Sequence, residues 1–257
     1  MTEALFPQGA TLVFGATGGI GQVVAREFGK SGSDVAVMYR SKESVAKAVA
    51  ANIEAAGQKA SVHQCDVTDH TALTQAIDAA IRTHGRIHTL VWGAGPLVDQ
   101  VLISESTREQ WRKAVDVEVH GFFDASKALI PHMTEKGGGS FVHLGSAGDL
   151  AFPPKDYLSV SPKAANESLI RGIAREEGVN HIRANSVLIG VIEAGMFLEL
   201  TQQGVFDDNW VTEVQKNLAL KHWGQPEDIA NAAIFLASNK AAYVTGQQIA
   251  VAGGYGL

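Results

Sequence analysis

The sequence predicts a doubly wound α/β fold, one mainly parallel seven-stranded sheet with helices on both faces. Three observations lead there. Short apolar runs alternate along the whole chain with longer stretches whose apolar residues recur at three and four. A cluster of glycines stands where the first run gives way to the first of those stretches. The 257 residues, 46% hydrophobic and 19% charged, suffice for one large core, and no linker rich in Pro, Ser or charge divides them.

In chain order, strands are expected at residues 10–14, 34–39, 60–66, 87–93, 140–145, 182–189 and 247–251, each a short apolar run. Helices are expected between them at 20–30, 42–56, 70–84, 107–133, 162–178 and 226–237, several with glycine at their ends. The fifth is set to begin at Pro162, because Ser161-Pro162 suits the N-cap and first position of a helix. Strand, helix, strand repeated throughout implies right-handed crossovers within a single domain, residues 1–257. Residues 190–222, with Gly195, Gly204, aromatics and mixed charge, are the least regular. They read either as a flap over a substrate site or as an ordinary connection.

Composition narrows function. The 21 Lys and Arg against 27 Asp and Glu give a net charge of −6, which excludes a binder of nucleic-acid backbone. Cys65 is the only cysteine, so the chain builds neither an intramolecular disulfide nor a Cys-based zinc site. The nine histidines show no ligand spacing such as H-E-x-x-H, and no metal is expected. No apolar stretch approaches the ~20 residues of a membrane span, and no basic region precedes the first apolar run. A cytoplasmic protein with no membrane contact and no leader is therefore expected.

Phe14-Gly15-Ala16-Thr17-Gly18-Gly19-Ile20-Gly21 links the first strand to the first helix. Glycine there permits φ > 0 and lets backbone approach a pyrophosphate, whose charge the first helical N–H groups stabilise. The plainer alternative is a glycine-rich turn without a ligand. At the end of the second strand, where a carboxylate would hold the ribose 2′-hydroxyl of NAD, stands Tyr39, followed by Arg40, Ser41 and Lys42. Two cations and a hydroxyl suit a 2′-phosphate, so NADP(H) is expected over NAD(H), unless Arg40 and Lys42 are merely solvated loop charges.

From about Gly9 to Tyr255 the chain resembles the short-chain dehydrogenase/reductase family. The glycine motif is similar to that family's T-G-x-x-x-G-x-G, with Phe14 in place of Thr. Asp66-Val67 resembles its adenine-contacting Asp, and Trp92-Gly93-Ala94-Gly95 stands where the family has N-N-A-G. The tail, with Gly224, Pro226, Asp228, Thr245, Gly246 and Gly253-Gly254-Tyr255, is also similar. The resemblance implies a Rossmann-type dinucleotide site built from Gly15, Thr17, Gly18, Gly19, Ile20, Gly21, Arg40, Ser41, Asp66, Val67, Gly93, Ala94, Gly95, Lys163 and Ile192. It also implies a homotetramer, with a dimer as the alternative, assembled through the helices at 107–133 and 162–178.

The family's catalytic set is Asn, Ser, Tyr and Lys. Ser146 matches the serine and Lys163 the lysine, but Ser159 stands four residues before Lys163 where the family has tyrosine, and Glu118 where it has asparagine. In the family the tyrosine protonates the carbonyl oxygen, and the lysine ammonium lowers its pKa from about 10. Ser159 is a far weaker acid, and general acid catalysis commonly contributes about 10²–10⁴-fold. Tyr157 is the expected replacement, since Tyr39, Tyr243 and Tyr255 belong to remote segments. On a continuous helix Tyr157 would lie about 240° from Lys163, but a loop over residues 153–160 would free it to swing inward.

Other residues carry two readings. Glu118 holds water or the lysine, or pairs structurally with a cation, and His120 approaches the same place. Trp92 narrows the pocket or packs in the core, as Trp111, Trp210 and Trp223 do more often. Cys65 is expected to be buried and inert. His143 and Asp149 neighbour Ser146 without the G-x-S-x-G of a nucleophile elbow. The reading is an NADP(H)-dependent reductase of a carbonyl, in which Ser146 polarises the oxygen and Lys163 holds the ribose. An enoyl-type C=C reductase, whose displaced tyrosine lies seven before the lysine rather than six, stays open, as does a non-catalytic NADP(H)-binding or partner subunit. Met196, Phe197, Leu198, Leu200 and Phe206 suggest an apolar carbonyl or enone substrate, or flap packing.

Overall fold

The structure is a computed structural model that describes residues 4–257. Strands β1 (Ala10–Phe14), β2 (Asp34–Tyr39), β3 (Ala60–Gln64), β4 (Ile87–Trp92), β5 (Gly139–Ser146), β6 (Ile182–Ile189) and β7 (Gln248–Val251) form one sheet. Their order is β3-β2-β1-β4-β5-β6-β7, and every pairing is parallel. The helices are α1 (Gly19–Lys30), α2 (Glu43–Ala55), α3 (His70–His84), α4 (Arg108–Val115), α5 (Gly121–Glu135), α6 (Tyr157–Glu176), α7 (Met196–Gln202), α8 (Asp208–Lys216) and α9 (Pro226–Ala237). The expected fold is thus observed.

Every residue of β1 and β4 is buried, as strands covered on both sides must be. One core layer joins Val24, Phe28, Ile53, Ile229 and Leu236 of α1, α2 and α9 to the sheet; the other joins Leu73, Ile77, Phe122, Leu129 and Ile170 of α3, α5 and α6. The chain winds outward from β1 to β3 and then returns to β4 beside β1. That reversal opens a crevice at the carboxyl ends of the strands, where the loops after β1, β4, β5 and β6 converge.

Three departures from the sequence expectation shape this crevice. The helix expected at 107–133 is α4 and α5 joined by a π-helical turn, Asp116–His120. A π turn carries one extra residue and so rotates its side chains off the helical register; here Glu118 is only 2% exposed. The second departure corrects the start at Pro162 and the loop at 153–160: α6 already begins at Tyr157, with Asp156 as N-cap and the Val160 N–H donating to the Asp156 carbonyl at 2.9 Å. Tyr157, Leu158 and Val160 are all buried, and Pro162 sits inside the helix at the cost of one i→i−4 hydrogen bond. Third, residues 190–222 contain α7 and α8, too short for periodicity to reveal. Among the described residues no helix is long and apolar enough to cross a membrane.

Candidate active site

Gly15 leaves β1 at φ +76°, and a Cβ there would run into the Gly93 carbonyl group at the end of β4. Gly21 lies as tightly on the Gly15 carbonyl oxygen. Helix α1 then starts with Gly18 as N-cap, no side-chain cap and no acidic residue in its first turn. Its leading N–H groups are left for an external acceptor, and bare backbone lets that acceptor come close, so the residues fit a pyrophosphate. A side cavity of about 210 Å³ runs from Gly15, Thr17 and Gly18 past Arg40, Ser41 and Lys42 to Asp66 and Val67. Asp66 accepts from the Thr68 N–H at 3.0 Å and its hydroxyl at 2.7 Å, and these bonds hold its carboxyl below the usual range. Burial and the neighbouring Asp66 push the Cys65 thiol up to about 12, which disfavours the reactive thiolate.

The main cleft, about 1270 Å³, joins this cradle at Ile20, Gly21 and Gly93–Gly95 and brings together Ser146, Ser159, Lys163 and Glu118. Ser146 ends β5; its Oγ accepts the Gly148 N–H at 3.1 Å and keeps its own proton free to donate. Lys163 on α6 forms an ion pair with Glu118 of the π turn, and the side chains are 18% and 3% exposed. Behind the pair, Asn166 Nδ2 donates to the Glu118 carbonyl at 2.9 Å. His143 and Glu167 bond at 2.7 Å, and Gln248 donates to the second Glu167 oxygen at 3.0 Å. Burial works to raise the Glu167 carboxyl, but these hydrogen bonds outweigh it and hold the group below the usual range.

Residues 15–256 match a family model described as enoyl-(acyl carrier protein) reductase. The 3-oxoacyl-(acyl-carrier-protein) reductase of Staphylococcus epidermidis is 31% identical over 245 residues, 95% of this chain and 98% of that protein. The chain belongs to the short-chain dehydrogenase/reductase family. A solved short-chain type dehydrogenase/reductase from Mycobacterium ulcerans superposes with a TM-score of 0.90 at 30% identity, covering 97% of this chain and 90% of that one. A 7α-hydroxysteroid dehydrogenase, solved with NADH and 7-oxo glycochenodeoxycholic acid, gives 0.89 at 28% identity over 98% and 96% of the two chains. The protein is thus an oxidoreductase by family, and the hydroxysteroid dehydrogenase it resembles was solved with NADH.

Within this short-chain dehydrogenase/reductase several expected residues lie elsewhere. Tyr157 does not line the cleft: it is 6% exposed, stacks on Trp111 at 6.1 Å between centroids and packs with Val98, Ala114 and Leu158. Its hydroxyl has no hydrogen-bond partner among the described residues, and the continuous helix holds it off the Lys163 face. The expectation of Tyr157 as acid is corrected on that ground. His120 is exposed and bonds Asp116 at 3.0 Å, away from the cleft. Trp92 is fully buried between Phe14 and Phe122, a core residue.

Two lining residues escaped the sequence, and a third, Tyr255, corrects the expectation that its segment is remote from the site. Asp156, Gln100 and Tyr255 all face the main cleft. The parallel addition of β7 at the sheet edge returns the chain end over the loop after β5, where the Tyr255 hydroxyl donates to the Ala151 carbonyl at 2.5 Å. No local pattern signals such a return. The outer wall is aromatic: Phe206 stacks on Trp210 at 3.8 Å and 13°, with Phe197 beside them at 6.2 and 6.0 Å.

Proposed function

We propose that the protein is an NADP(H)-dependent reductase of apolar carbonyl compounds, with residues 190–222 acting as the flap over the substrate. One observation carries the reading: the glycine cradle opens directly into a cleft that holds Ser146, Ser159 and Lys163 together. Bound in that cradle, the dinucleotide would supply a hydride. Gly15, Thr17, Gly18, Gly19, Ile20 and Gly21 would hold its phosphates, Asp66 and Val67 the adenine, and Gly93–Gly95, Lys163 and Ile192 the nicotinamide half. Ser146 donates to the substrate oxygen and polarises the carbonyl, the role its free proton permits. Lys163 keeps Glu118 neutralised at the floor of the cleft and offers its remaining donors to ribose hydroxyls. The Phe197, Phe206 and Trp210 wall excludes water and favours an apolar guest, in keeping with the 7-oxo steroid held by the hydroxysteroid dehydrogenase. Exposed Trp111 and Phe123, on α4 and α5, support assembly as a homotetramer.

The NADP(H) preference rests on exposed Arg40, Ser41 and Lys42 rimming the adenosine cavity, with no carboxylate at the end of β2. The Arg40→Ala/Lys42→Ala double variant is expected to bind NADPH about tenfold or more weakly, with NADH affinity unchanged, by fluorescence titration. Equal losses for both dinucleotides would remove the preference.

The family model's description and the aliphatic Ser159 favour a second reading, reduction of an activated C=C bond. A cyclic enone offers both bonds to one active site. With NADPH, an allylic alcohol as product supports the carbonyl reading, a saturated ketone supports the enoyl type, and binding without product leaves only a binding role.

A further inference from the structure

We propose that Asp156 is the acid that protonates the substrate oxygen in this cleft, an inference that rests on the reductase reading above. Asp156 occupies the N-cap of α6, where an aspartate ordinarily accepts a backbone N–H, yet its side chain makes no capping bond. Lys155 before it adopts φ +68°, a left-handed conformation that costs a non-glycine residue strain. The turn so formed delivers the carboxyl to the wall that Ser146, Ser159 and Lys163 share. There Oδ1 accepts Gln100 Nε2 at 3.1 Å, and Oδ2 has no hydrogen-bond partner among the described residues.

Elimination points the same way. Among the described residues, three side-chain carboxyls line the cleft. Glu118 is committed to Lys163 and Glu213 to Lys216, which leaves Asp156 outside any ion pair. Ser159 is an aliphatic alcohol, too weak an acid for the task. The Tyr255 hydroxyl is already donating to Ala151, and burial and Asp156 raise its pKa further. Burial likewise lifts the Asp156 carboxyl above the usual range, against the Gln100 bond and the Lys163 charge. The titratable groups around it are Lys163 on α6, Glu118 on the π turn, Tyr255 in the C-terminal segment and the adjacent Lys155.

The step balances. As hydride adds to the carbonyl carbon, the C=O π pair moves to oxygen. The Asp156 O–H bond breaks and the alcohol O–H forms. The carbonyl is reduced, the dinucleotide is oxidised, and the Asp156 carboxylate regains its proton from water.

The test has two readouts. Infrared difference titration of wild type against Asp156→Asn, without cofactor, reads the carboxyl itself. A protonated C=O stretch persisting at a pH clearly above the ~3.9 of a free aspartate supports the proposal. A carboxyl already ionised there overturns it, whether or not any substrate is turned over. The second readout is kcat/KM for NADPH-dependent carbonyl reduction against pH. An acid must be protonated, so the rate should fall as pH rises through the Asp156 pKa. Asp156→Asn should lose about 10²–10⁴-fold together with that fall, and Asp156→Glu should restore part of both. If Tyr255→Phe rather than Asp156→Asn abolishes the pH dependence, the proposal fails. If wild type reduces no carbonyl, the reductase reading fails, and the infrared titration still decides whether Asp156 holds the proton.

Discussion

Lys163→Met is expected to destabilise the fold by about 3–5 kcal/mol, a larger loss than the side chain's own packing accounts for. The reason is Glu118, whose carboxylate is 3% exposed on its side chain and is paired with the Lys163 ammonium. Removing the ammonium strands an ionised carboxylate against Gly95, where a Cβ would already strike Glu118 Oε1. Glu118→Gln alone should cost much less, because Lys163 at 18% exposure keeps some access to solvent. The double variant should recover most of the Lys163→Met loss, since no unpaired charge then remains. Urea unfolding of the four proteins gives the coupling directly; simple additivity would mean that the pair does not hold the π turn to α6.

Gly15→Ala is expected to weaken NADPH binding by roughly 10²-fold. Alanine at φ +76° costs about 1–2 kcal/mol, and its Cβ meets the Gly93 carbonyl, where the peptide is held by the Gly93 N–H bond to the Phe14 carbonyl at 3.2 Å. Forcing a methyl into such a contact adds about 1–3 kcal/mol. The free protein relieves both by letting the turn drift. Binding must rebuild the cradle, so the cost appears in Kd at about tenfold per 1.4 kcal/mol. Gly32→Ala is the control: φ is +94° there, yet nothing lies within 4 Å of the place an added methyl would take, and the residue is outside the cradle. It should cost stability and leave NADPH affinity intact. Equal Kd values for the two variants would contradict the role given to Gly15.

Legibility followed the range of the interactions. The strands and the glycine turn could be read because their physics is local: β1 and β4 are short, mainly apolar runs buried along their whole length, and a strand-to-helix turn needs glycine whatever surrounds it. The pairing of Ser146 with Lys163 came from the family resemblance, and the cleft brings them together. Local signals misled at Ser161-Pro162, a good helix start that is overruled by burial of Tyr157, Leu158 and Val160 one and a half turns earlier. The π turn was invisible because Asp116–His120 keeps helical composition while shifting register by one residue. Tyr255 and Asp156 reach the cleft through sheet order and a left-handed Lys155, neither of which leaves a pattern in adjacent residues.

The most direct test of the account is a single-turnover reaction of NADPH-loaded protein with apolar ketones and enones, followed by nicotinamide absorbance. Wild type should oxidise one nicotinamide per chain, and Ser146→Ala should slow that step by about 10²–10³-fold while still binding NADPH. Tight NADPH binding with no oxidation by either substrate class, in wild type as in the variant, would contradict the claim that this cleft performs reduction.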